Sequence, residues 1–90
     1  MTKYFDVEHK RIYKTIEDAQ THIEQIMRKL PGSAIRPVLR WYARLESHNK
    51  PLPVLLDLTR DEVELIPRIG VRKADIIMSA ILKGKSNARD

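Results

Sequence analysis

Between Thr59 and Leu82 two helical patterns are divided by a proline and a glycine three residues apart, Pro67 and Gly70. No other stretch of the chain leaves so few options. Thr59-Arg60-Asp61-Glu62 has the form of a capping box: the Thr59 hydroxyl can accept from the Glu62 amide while the Glu62 carboxylate reaches back. A helix therefore opens here. Pro67 has no amide proton and biases Ile66 away from helix, so that helix stops before it. Gly70 is expected to supply the permissive backbone of a sharp reversal. Ala74, Ile77, Met78 and Ile81 follow at three- and four-residue steps, one apolar face of a second helix. Ala74 is small where two helices would approach. The pattern predicts a short αα-hairpin with exposed amides at the second helix's N-terminus, flanked by Arg68, Arg72 and Lys73.

Upstream, Thr15 starts another helix. Glu17 and Asp18 fall in its first turn and Arg28 and Lys29 in its last, where the helix dipole favours each sign. Ile16, Ala19, Ile23, Ile26, Met27 and Leu30 make a continuous apolar stripe, and Pro31-Gly32 ends the helix. In so small a domain that stripe is read as core rather than as a partner-binding face. The next helix runs from Ala34 or Pro37 to Ser47. If Ser33 caps it, Pro37 sits at the edge of the first turn; if Arg36 caps it, Pro37 takes the favoured first helical position. Ile35, Val38, Leu39, Tyr42 and Leu45 form its buried face. Arg36, Arg40 and Arg44 recur every four residues as one ridge, with His48 next in the row. That ridge reads as a phosphate-tracking surface beside Trp41, as a solvated face, or as a row pairing with acids such as Glu17, Glu24 or Glu46.

The remaining segments are less regular. Tyr4 to Val7 and Arg11 to Lys14 can pair as a short β-hairpin around Glu8 to Lys10, although that turn lacks Gly, Asn and Asp. Otherwise the segment is irregular. His48 to Pro53 is a stiff loop with two prolines. Val54, Leu55, Leu56 and Leu58 give a short apolar element expected under the hairpin. The tail after Leu82, KGKSNARD, is polar and reads as frayed. The fold class expected is mainly α: one domain over residues 1–90, about four helices, the last two forming the hairpin, with a possible small N-terminal β-hairpin.

Arg68 to Ala74 and its flanks resemble the helix-hairpin-helix motif of DNA-binding and DNA-repair proteins. The usual pattern is an apolar helix end, Pro-Gly-Ile-Gly, three variable residues often including Lys, then Ala and an apolar pair. Here it reads Pro67-Arg68-Ile69-Gly70, Val71-Arg72-Lys73, then Ala74, with Ile76 and Ile77 after. The match covers Thr59 to Leu82, and it departs from the family at Arg68, which stands in place of the first glycine. The resemblance implies that hairpin amides cap a DNA phosphate, in some members with a monovalent cation on hairpin carbonyls. Ile69, Gly70, Val71 and Arg72 would supply the amides, and Arg68, Arg72 and Lys73 charge-assisted contacts. Arg36, Arg40 and Arg44 are the second candidate set.

Charge agrees with such a partner. Seventeen Lys and Arg against twelve Asp and Glu leave a net charge of +5, which favours nucleic acid first and an acidic protein second. Few aromatic residues argue against a binder built on base stacking. There is no cysteine, hence neither disulfide nor thiolate metal site. His9, His22 and His48 lack metal-ligand spacing, no glycine-rich phosphate loop occurs, and no serine has a nucleophile's context. No metal, cofactor or enzymatic activity is expected. With no apolar run of about 20 residues and no signal-like N-terminus, a cytoplasmic protein is expected. The leading function is sequence-independent DNA binding. The alternative is a protein-interaction or regulatory adaptor in which the hairpin is only structural and the arginine ridge meets an acidic partner. Self-association is a third possibility.

Overall fold

The computed structural model describes residues 11–88, with side chains through residue 86. The expected N-terminal strand Tyr4–Val7 and its turn lie outside them. Four helices, α1 (Ile16–Met27), α2 (Gly32–Ser47), α3 (Arg60–Glu64) and α4 (Val71–Ala88), enclose one core, and a 3-10 turn at Leu55–Asp57 sits among them. Among the described residues there is no strand, only a single antiparallel bridge between Ile12 and Pro53. Arg11 to Lys14 therefore runs beside the Leu52–Val54 segment: the Tyr13 amide donates to the Leu52 carbonyl and the Val54 amide to that of Arg11, both at 2.9 Å. Among the described residues no helix is long and apolar enough to cross a membrane.

The first helix obeys its pattern. Thr15 caps it with its hydroxyl on the Asp18 amide, and Ala19, Ile23 and Met27 are fully buried. It ends sooner than expected, with Arg28 as the C-cap and no basic residue in the last turn. The second helix corrects both candidate starts. It begins at Gly32, with Pro31 as the cap residue in extended conformation and no side-chain cap. The Pro31 carbonyl accepts from the amides of Ala34 and Ile35, so the turn closes on backbone groups and Ser33 is not needed. Pro37 consequently lies inside the helix, where it removes the hydrogen bond that its amide would give to the Ser33 carbonyl. Tyr42 of this helix is fully buried and donates its hydroxyl proton to the Pro53 carbonyl.

The hairpin forms as an α3–turn–α4 unit. Both halves of the capping box are present: the Glu62 amide donates to Thr59 Oγ1 at 3.3 Å, and the Thr59 amide donates to Glu62 Oε1 at 2.8 Å. Ala74, Ile77 and Ile81 of α4 are fully buried and Met78 is half-buried, as the spacing requires. Leu55, Leu56 and Leu58 of the 3-10 segment are buried beneath them. The polar tail does not fray at Leu82, because α4 continues through Ala88. Gly84 explains part of this. A Cβ there would stand 2.8 Å from Leu56 Cδ2 and within 4 Å of Ile26, so the missing side chain lets α4 lie close against the 3-10 turn and α1.

Candidate nucleic-acid interface

The reversal between α3 and α4 is built differently from the sequence expectation. Gly70 does not adopt positive φ; Arg68 does, at 70°. The left-handed residue therefore sits at the position where the resembling family carries its first glycine. An L-residue there costs about 1–2 kcal/mol. The chain turns through short bonds, with the Ile66 amide donating to the Val63 carbonyl and the Ile69 amide to the Ile66 carbonyl, both at 3.1 Å. The latter removes Ile69 from the amides available to an anion, and its side chain is buried in the core. Gly70 instead precedes α4, its carbonyl accepting from the Ala74 amide at 2.9 Å. Among the described residues no protein acceptor meets the amides of Val71, Arg72 and Lys73, the first turn of α4. The Lys73 ammonium lies 3.4 Å from the Arg68 carbonyl, so one cation already covers the turn's outward carbonyl. Val71 and Arg72 are exposed.

Arg60 braces the hairpin at its base. Its guanidinium reaches Glu64 one helical turn on, at 2.8 Å, and Asp75 of α4. The two carboxylates push its pKa up. This is a bridge between the two helices, and it leaves the turn itself clear.

The ridge of α2 meets that turn. Arg40, Arg44, Trp41 and Pro37 from α2, with Pro67 and Arg68 from the turn, line a recess of about 80 Å³. Two candidate sets that stand more than twenty residues apart in sequence thus share one cavity wall. Arg40, Arg44 and Arg68 are exposed, and among the described residues none forms an ion pair. The pairing of the ridge with Glu17, Glu24 or Glu46 does not occur. No carboxylate lines the recess. Trp41 is half-buried, packs against the core and stands edge-on to Tyr42 with ring centroids 5.0 Å apart. It forms an apolar wall between the two arginines of its own helix.

Arg36 separates from its ridge. Its guanidinium folds back over Gly32 at the start of α2, where a Cβ would come 3.7 Å from its Nε, and it does not line the recess. Arg72 and Lys73 also lie outside it. The candidate residues therefore divide into an inner group, Arg40, Arg44 and Arg68, and an outer group on adjoining surfaces. Sequence reasoning missed Pro37, Pro67 and Trp41 as walls of a shared recess. Only Trp41 carried a signal, its place beside the ridge. Among the described residues no three His, Asp or Glu side chains gather in a way that could hold a metal ion. Comparison with protein-family models, with curated proteins and with solved structures finds no match to this chain.

Proposed function

We propose that this domain binds DNA through its phosphate backbone, without reading sequence, using the face where the α3–α4 turn meets α2. The observation that carries the proposal is the recess lined by Arg40, Arg44 and Arg68, three exposed arginines without a carboxylate beside them. Guanidinium groups suit phosphate because their fork of donors matches two oxygens at once. The unmet amides of Val71, Arg72 and Lys73, at the positive end of the α4 dipole, lie on the same turn and add donors of fixed direction. The strained backbone at Arg68 supports the reading, since a glycine would fit that conformation better but would bring no charge to the recess. The resemblance of Pro67 to Ala74 to the helix-hairpin-helix family agrees with it. The domain's role in this reading is to grip rather than to carry out chemistry.

Contacts of this kind position a protein on the duplex but discriminate poorly between bases. The test is fluorescence anisotropy with duplex and single-stranded DNA at several salt concentrations. Binding is expected to weaken steeply with salt and to vary little among duplex sequences. Strong preference for one sequence would refute the backbone reading. Absence of binding even at low salt would refute it too, and would turn the search toward an acidic protein partner of the same arginines.

A further inference from the structure

Resting on the backbone-binding reading, we infer that the recess is selective for a terminal phosphate monoester, so that the domain prefers a phosphorylated DNA end over an uninterrupted strand. Size comes first. A volume of about 80 Å³ admits one tetrahedral phosphate group. Shape follows from what lines it. Pro37 and Pro67 are rigid ring side chains, one from each element, and Trp41 lies between Arg40 and Arg44 along α2. A phosphodiester entering such a recess must carry a strand out on both sides. A monoester enters by one link only.

Charge gives the second argument. An internal diester offers one negative charge and two unshared oxygens. A terminal monoester carries about −1.5 to −2 at pH 7 and offers three acceptor oxygens. Three arginines from two elements line the recess, and no acidic residue lines it to offset their charge. Among the described residues none of the three is engaged in an ion pair. A terminal monoester gives these cations more negative charge and one more acceptor oxygen than a diester does. Trp41 beside them offers an apolar surface to the carbon face of the terminal sugar.

The experiment varies the DNA and leaves the protein intact. Short duplexes of one sequence, ending in a 5′-phosphate, a 5′-hydroxyl or a 3′-phosphate, compete against a labelled duplex, beside a dumbbell duplex that has no ends. The 5′-phosphorylated duplex is expected to compete about tenfold better than the hydroxyl-ended one and the dumbbell. R44Q, which removes one of the arginines lining the recess, should weaken binding of every duplex and shrink the ratio between the phosphorylated duplex and the dumbbell. A 3′-phosphorylated duplex competing equally well would support a terminal monoester of either polarity. A dumbbell that competes as well as the phosphorylated duplex would overturn the inference and leave the backbone grip standing. No binding of any duplex would overturn both. Competition by a nucleoside 5′-monophosphate as strong as by the phosphorylated duplex would overturn the DNA end as ligand and give the recess to small phosphate esters.

Discussion

Arginine occurs in two settings on this molecule, and the contrast separates what holds the fold from what the fold leaves exposed. On one side Arg11 is tied to Asp57. The Asp57 carboxylate accepts from the Arg11 backbone amide at 3.0 Å, from Nε at 3.1 Å and from the terminal guanidinium nitrogen at 2.9 Å. That latch continues inward. The Tyr13 hydroxyl accepts from the Leu55 amide at 3.0 Å and lies 2.6 Å from His22 Nδ1. The hydroxyl oxygen thus joins the 3-10 turn to His22 of α1 through two hydrogen bonds. On the other side Arg40, Arg44 and Arg68 surround a recess with no carboxylate. Charge of the same kind is neutralised where the 3-10 turn is held to the segment before α1, and left open where α2 meets the hairpin. The difference teaches that the net charge of +5 says little until it is placed.

The contrast breaks most sharply if the two settings are neutralised in turn. R40Q/R44Q/R68Q is expected to weaken duplex binding on the order of 10²-fold at moderate salt and to flatten the salt dependence, read by anisotropy titration. An equal loss in an Arg11→Gln variant would show that net charge, not the recess, governs affinity.

Next in size is the latch. Asp57→Ala leaves the Arg11 amide and guanidinium without their acceptor and should cost about 1–2 kcal/mol, lowered toward the smaller value because the Arg11 side chain is largely exposed. In a domain of this size that is a fall of several degrees in Tm by differential scanning fluorimetry, about 4–8 °C per kcal/mol. DNA affinity at low temperature should not change.

Arg68 belongs to both sides of the comparison, because its backbone bears strain and its side chain lines the recess. Arg68→Gly should raise stability by up to about 1 kcal/mol as the left-handed strain is relieved, partly offset by the freer unfolded chain. The same variant should bind DNA more weakly. A thermal shift in the opposite direction would mean that the guanidinium stabilises the turn more than its φ disturbs it.

The smallest effect is a pH dependence confined to the latch. Burial, followed by the nearby Arg11 charge, lowers the His22 pKa below its ordinary value of 6.5. The folded state thus binds fewer protons than the unfolded chain below that pH. Stability is complete above about 6.5 and declines as pH falls, because burial and the Arg11 charge penalise the imidazolium. Asp57 behaves likewise at lower pH: its bonds to Arg11 hold its pKa below the usual carboxylate value, so its contribution is present above about 4 and lost as pH falls further. At the alkaline end burial raises Tyr13 to about 12, and its contribution is lost as pH rises from about 10. Urea midpoints measured across pH should show the acid slope near pH 6 vanish in His22→Gln.

Where local patterns decide the structure, the sequence was readable. The capping box at Thr59 and Glu62, the Thr15 cap, the buried faces of α1 and α4 and the apolar 3-10 segment all follow from interactions within a few residues. Misplacements occurred where a local preference was overridden. Gly70 and Arg68 exchanged their expected backbone roles, since the turn closes through the Ile66 carbonyl and needs its left-handed residue earlier. Pro37 looked like a helix boundary but lies within α2, because Pro31 closes the first turn with its carbonyl and fixes the start at Gly32.

The site divides along the same line. Residue identity alone determined that basic groups occupy the hairpin and one row of α2, because a four-residue repeat on a helix is local geometry. Tertiary packing decided that Arg40 and Arg44 face Arg68 while Arg36 turns away over Gly32. It also decided that Arg11, unremarkable in sequence, finds Asp57 forty-six residues on. Those meetings depend on how α2 and the hairpin dock on the shared core, and no short-range pattern encodes the angle and register of that docking.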